Sequence, residues 1–271
     1  MTINYKIACV QTDCFPCDIG KNLEKVKSFL VEAKNKGAKL AVLPELFNIG
    51  YDLNLFRSYS EYDVSETKHF LSTLSKELDL FIVAGIADQE GGSLQNSACV
   101  FDNHGNVICK YNKMNLFPLS EEKNIFTEGS QPETFSIGDF KVGLLICYDI
   151  RFPEVTTKYF EEGCNVFIIL SAFPFPRLEH WKTLIKARAI ESQSYVIACN
   201  RVGKDGDMTF LGNSCIIDPW GTEKANLNET EEGVLLGEIN MDKILEVRSK
   251  MTCFENKTKL LTYLRESKKN I

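Results

Sequence analysis

The sequence predicts an α/β chain built on a mixed sheet that helices cover on both faces. Three observations carry this expectation. Apolar, β-branched runs of strand length recur along the chain, amphipathic helical patterns alternate with them, and two tight-turn signals join neighbouring runs as hairpins.

The order of elements follows from these patterns. "YKIACVQ" (5–11) opens as a strand, and Asn22 is expected to cap the helix "LEKVKSFLVEAKNKG". That helix places Leu23, Val26, Phe29, Leu30 and Ala33 on one stripe and stops at Gly37. "KLAVLPE" reads as a strand, "SETKHFLSTLSKELD" as a helix, and "LFIVAGIA" as a buried strand. The turn "DNHGN" joins "SACVF" to "VICKYNK", and "IGDF" joins "ETFS" to "KVGLLI". Pro153 suits a helix start just beyond the run "FKVGLLICYD". "NVFIILSA", the helix "RLEHWKTLIKARAIESQ", "YVIACN", "NSCIIDP" and "GVLLGEI" complete the series. Several strands are apolar on both faces and therefore need cover on both sides.

Composition narrows the class of protein. At 271 residues and 44% hydrophobic, with no linker or low-complexity block, residues 1–271 are expected to form a single domain. A formal charge of −6 gives no basic face for nucleic acid. "MTINYKIACVQ" lacks the pattern of a signal peptide, and no apolar stretch reaches the ~18–20 residues of a membrane span. A cytoplasmic chain without membrane contact is therefore expected. Its ten cysteines are then read as reduced, and many, such as Cys9, Cys99 and Cys199, sit in apolar runs as small buried hydrophobes.

Two cysteine signals compete. Cys14-x-x-Cys17 lies between a strand and a helix, where a thioredoxin-like motif would sit. Asp18, Ile19 and Gly20 separate it from the expected cap at Asn22, which favours two structural thiols over redox activity. A zinc reading lacks a second pair of ligands. Cys147 is different, because an apolar run breaks off at it and Tyr148 and Asp149 follow. In α/β folds chemistry gathers where strands end, and Glu45, Lys113 and Cys147 all stand at such ends. A thiol needs a base or a nearby cation to react. Of the three histidines, His104 sits in a turn and His69 on an amphipathic helix, so only His180 competes as that base. Glu45 is the alternative base, in a partly desolvated pocket where a carboxylate takes a proton more readily, and Lys113 supplies positive charge.

At these residues the chain resembles the nitrilase superfamily of carbon–nitrogen hydrolases over essentially its whole length. "LPELFNIGYD", "YNKMNLFP" and "GLLICYDIRFPE" resemble that family's base, lysine and nucleophile segments, in family order, and "HWKTLIKARAIESQSYVIACN" and "SCIIDPWG" extend the match. The resemblance implies a four-layer α-β-β-α sandwich that pairs in dimers, and a catalytic triad of Glu45, Lys113 and Cys147. It also implies an oxyanion-binding backbone N–H at Tyr148 and a second glutamate in "LSEEKNIFTEG". Gly129 selects Glu122 for that role over Glu128, and one residue of slip would exchange it for Glu121. No metal or organic cofactor is implied.

The ω-amidase branch, which acts on 2-oxoglutaramate and related ω-amides, is the branch resembled most. Such small-molecule amides carry a carboxylate away from the scissile bond, and Arg177 is placed to bind it. Arg151 is a second candidate for that role, but its proximity to Asp149 and Glu154 favours a structural ion pair. Amidases of deaminated glutathione, N-carbamoyl amino acids or aliphatic amides share the triad and stay open as alternatives, as does, more remotely, a thiol–disulfide protein. A homodimer is expected, with the tail from about residue 254 at its interface or on the surface.

Overall fold

The computed structural model describes residues 4–58 and 64–268. In chain order the first half comprises β1 (Tyr5–Gln11), α1 (Ile19–Asn35), β2 (Leu40–Leu43), α2 (Leu53–Ser58), α3 (Ser65–Glu77), β3 (Phe81–Glu90), β4 (Ser93–Phe101) and β5 (Val107–Asn112). The middle holds α4 (Glu122–Ile125), β6 (Thr134–Ile137), β7 (Phe140–Ile146), a 3-10 turn (Cys147–Arg151), α5 (Pro153–Glu161), β8 (Val166–Ser171) and α6 (Leu178–Ser192). Next come β9 (Tyr195–Asn200), β10 (Val202–Asp205), β11 (Met208–Leu211), β12 (Cys215–Ile217) and β13 (Glu223–Asn226). The chain closes with β14 (Gly233–Ile239), α7 (Met241–Lys250) and α8 (Cys253–Lys268).

Periodicity alone predicts one mixed sheet, and the described residues form two large ones beside a small two-stranded sheet, β10-β11. The large sheets are six-stranded, ordered β14-β1-β2-β3-β4-β5 and β13-β12-β9-β8-β7-β6, and they pack face to face under outer helices as an α-β-β-α sandwich. A strand apolar on both faces fits either arrangement, which is why its pattern cannot count sheets. On β1, Ile7 and Cys9 join the core between the sheets, while Ala8 and Val10 join the core beneath α1.

Each sheet has three parallel strands at its centre, β1-β2-β3 and β7-β8-β9. Antiparallel strands flank both triplets, including the two expected hairpins β4–β5 and β6–β7. Strand β5 runs antiparallel to β4, and β4 antiparallel to β3. The ends of β2, β5, β7 and β8 therefore all open toward one edge of the sandwich.

Helix α1 starts earlier than expected. Asp18, not Asn22, is its cap, and its carboxylate accepts the Lys21 N–H at 3.0 Å. Asn22 faces inward and binds the backbone of Phe15 and Asn48, a better use of a buried amide. Pro153 does open α5. The tail helix α8 is largely exposed and is held through Phe254, whose ring lies 4.5 Å from that of Phe160. No helix among the described residues is long and apolar enough to cross a membrane.

Candidate active site

Glu45 follows β2 by two residues and is fully buried. Its loop passes so close to β3 that a Cβ on Gly85 would stand 2.5 Å from the Pro44 carbonyl oxygen, so this position has room only for glycine. Oε1 of Glu45 accepts hydrogen bonds from Asn96 Nδ2 and Lys113 Nζ, both at 2.7 Å. Oε2 accepts the Ala172 N–H at 2.8 Å. The carboxylate is thus held by three elements and aimed at the ends of β7 and β8.

Lys113, one residue past β5, is 1% exposed and sits between two carboxylates. Its ammonium donates to Glu45 and, at 2.8 Å, to Glu122 Oε1. Burial alone would lower its pKa, but Glu122, Glu45 and Cys147 together raise it above the ordinary lysine value. Burial raises the Glu122 carboxyl, against the pull of Lys113. Glu122 also accepts the Tyr51 hydroxyl and the Phe117 N–H. Of the two neighbouring glutamates it is Glu122 that meets Lys113, while Glu121 turns outward to Asn124 and Arg57. Glu128 is exposed.

Cys147 ends the apolar run of β7 at a sharp bend. Its φ is +46°, in the left-handed region that side chains rarely occupy, and it begins the 3-10 turn. As the second residue of that turn, Tyr148 carries an N–H with no acceptor inside it. Asp149 braces the bend, accepting from Ile146 N, Tyr111 Oη and both nitrogens of Asn115. The Cys147 thiol lies well above the usual thiol pKa. Burial is the main cause and Glu45 adds to it, while Lys113 and the Ser171 hydroxyl pull the other way. Burial therefore favours the protonated thiol, and a neighbouring base such as Glu45 would help it react.

Beside Cys147 lies a small pocket, lined by Tyr51, Phe117, Tyr148, Phe173, Arg151 and Arg177 among others. Arg177, just before α6, stacks on Phe117 with 5.4 Å between guanidinium and ring. Arg151 does not form the expected ion pair. Asp149 is occupied in bracing the bend, and Arg151 instead lies over Tyr148 and Phe173, with its NH2 3.1 Å from His180 Nδ1. Both arginines that the sequence offered as substrate cations, Arg177 and Arg151, therefore line the pocket. His180 meets Arg151, and among the described residues none of the three imidazoles reaches the thiol. Cys14 is buried with its thiol pushed up to about 11, the reverse of what redox chemistry requires. Among the described residues no cluster of three His, Cys, Asp or Glu side chains suits a metal ion.

Tyr51 and Asn96 were not anticipated as parts of this network. Tyr51 lies in the same "LPELFNIGYD" segment as Glu45 and returns to it through Glu122. Its backbone N–H is anchored at 2.6 Å on Asp205, which is paired with buried Arg201.

A carboxylate, an ammonium and a thiol converging beside a backbone N–H can carry out nucleophilic acyl transfer. Comparison with known proteins agrees with that class. The carbon-nitrogen hydrolase family model matches residues 6–249, and the chain belongs to this family. It is 38% identical to the 2-oxoglutaramate amidase of Bacillus subtilis (strain 168), over 94% of this chain and 98% of that one. It is 32% identical to the human omega-amidase NIT2, over 87% and 89% of the two chains. Among solved structures, Saccharomyces cerevisiae Nit3, of the nitrilase superfamily, superposes with a TM-score of 0.84 at 28% identity, covering 92% of this chain and 94% of its own. An amidase from Nesterenkonia sp. AN1, solved with acrylamide added to its active-site cysteine, gives a TM-score of 0.82 at 26% identity, covering 91% and 97%.

Proposed function

We propose that this chain is an ω-amidase, hydrolysing small ω-amides of dicarboxylic acids, of the 2-oxoglutaramate kind, to the acid and ammonia. One observation carries the reading. Cys147, with the buried Glu45–Lys113 pair acting on it, lines a small pocket that Arg151 and Arg177 also line. An amide at one end of a substrate and a carboxylate at the other match that polarity. The named activities of the B. subtilis and human relatives support the same choice.

In this mechanism Glu45 takes the Cys147 proton and the sulfur attacks the amide carbon. The charge that develops on oxygen is met by the Lys113 ammonium and the Tyr148 N–H. Collapse of the tetrahedral adduct breaks the C–N bond, and Glu45 returns its proton to the leaving nitrogen. Water activated by Glu45 then attacks the thioester, releasing the acid and the thiol. Glu122 holds Lys113 in position. Arg177, with Arg151, binds the substrate carboxylate.

The same reading takes residues 1–271 as one cytoplasmic domain, since all ten cysteines are free thiols. It takes the active form as a homodimer with α8 on the surface or at the interface, where Leu260, Tyr263 and Leu264 are exposed. An ammonia-release screen over 2-oxoglutaramate, 2-oxosuccinamate, glutamine, deaminated glutathione, N-carbamoyl acids and simple nitriles tests the substrate. The highest kcat/KM is expected on 2-oxoglutaramate. A clear preference for N-carbamoyl acids, deaminated glutathione or nitriles would assign another branch.

A further inference from the structure

The pairing of β7 with β8 brings a second hydroxyl-bearing residue to the nucleophile. The two strands are parallel, with Ile146 opposite Leu170. The next residues on each, Cys147 and Ser171, therefore stand side by side where the strands end. Ser171 is completely buried, and its hydroxyl meets no nitrogen or oxygen partner among the described residues. Its polar neighbour is the Cys147 sulfur. The contact draws the thiol's pKa down, yet it does not meet the geometry of a full hydrogen bond. The backbone around it is firmly tied. The Ser171 carbonyl accepts the Arg201 N–H at 3.1 Å, and the next N–H, of Ala172, holds Glu45.

A buried hydroxyl without a partner is costly, and alanine would fill nearly the same space without that cost. The sulfur supplies the missing partner once it is charged. A neutral thiol accepts hydrogen bonds weakly, whereas a thiolate accepts them strongly. We propose that Ser171 is a catalytic residue whose hydroxyl donates to the Cys147 sulfur when the thiol gives up its proton. This rests on Cys147 being the nucleophile.

The other ionisable groups acting on that sulfur are Glu45, Glu122, Tyr51 and Lys113. The two carboxylates oppose a negative sulfur and Lys113 favours it. Ser171 is then a donor from the nucleophile's own sheet. The Ser171 O–H stays intact throughout. It stabilises the sulfur charge after Glu45 takes the proton and loses that role as the C–S bond forms. It regains the role when water attacks the thioester, the C–S bond breaks and the electron pair returns to sulfur, before Glu45 reprotonates it.

The test is Ser171→Ala, with Ser171→Thr as the conservative replacement. Alkylation of Cys147 by iodoacetamide is followed against pH by mass spectrometry of the Cys147 peptide. In Ser171→Ala the profile should move to higher pH by about half to one unit, with alkylation near neutral pH about three- to tenfold slower. kcat should fall by a similar factor with KM within about twofold, Tm should not drop, and Ser171→Thr should recover much of the loss. A Ser171→Ala profile that coincides with wild type overturns the proposal, as does lost activity that accompanies a lower Tm with no shift in profile. Alkylation needs no substrate, so a wrong substrate assignment leaves this test intact.

Discussion

The two sheets have the same plan, three parallel strands flanked by antiparallel ones, and they hold their reactive groups by different means. At the edge of the first sheet, Glu45 and Lys113 are fixed by each other and by Glu122, through charged hydrogen bonds at 2.7 and 2.8 Å inside the protein. At the edge of the second, Cys147 is fixed by backbone geometry, a strained φ of +46° braced by Asp149. One side is a mutually dependent ionic network and the other is a rigid bend. The proposed mechanism requires both, but stability should depend on them unequally.

Replacing the proposed nucleophile should separate these two roles most sharply. Cys147→Ala removes a sulfur and leaves the bend and its brace intact. Turnover should fall by about 10⁴-fold or more while Tm stays within a few degrees. Lys113→Met should lose about 10²–10³-fold in kcat and also stability. It strands two buried carboxylates, at a cost of about 3–5 kcal/mol, readable as a lower midpoint in urea. If both variants kept wild-type stability, the contrast between the sheets would be wrong. Arg177→Met lies outside both frameworks. It should raise KM about ten- to a hundredfold for anionic ω-amides and leave uncharged amides nearly unaffected. Equal losses on both kinds of substrate would remove its recognition role. The smallest effect is expected from the Cys14→Ser, Cys17→Ser double variant, whose amidase activity should stay within about twofold of wild type.

How much of this was legible in the sequence varies from residue to residue, for physical reasons. Strand β1 coincides with the run "YKIACVQ", and β7 ends where its apolar run meets Cys147, because burial on both faces writes an unbroken apolar pattern. The hairpin β10–β11 was hidden in "VGKDGDMTFL", whose strands are four residues each and partly polar. Helices α7 and α8 expose most of their surface, and their apolar stripe is correspondingly faint. In the site, residues at strand ends were visible one at a time. Their partners were not, since Asn96 reaches Glu45 from β4 two strands away, Tyr51 meets Glu122 where two loops fold together, and Ala172 reaches Glu45 from the other sheet. Arg151 misled for a related reason. Proximity to Asp149 in sequence suggested an ion pair, but the 3-10 turn sends the carboxylate inward to Asn115 and the guanidinium outward over Tyr148.

The central claim is that an acyl group passes through the sulfur of Cys147. Mixing the protein with 2-oxoglutaramate, quenching in acid within the first turnover and mapping the peptides by mass spectrometry tests it directly. An adduct equal to the substrate minus ammonia is expected on the Cys147 peptide, labile to hydroxylamine and absent from Cys147→Ala. Ammonia released at full rate with no adduct on Cys147, or with the adduct on another cysteine, would contradict it.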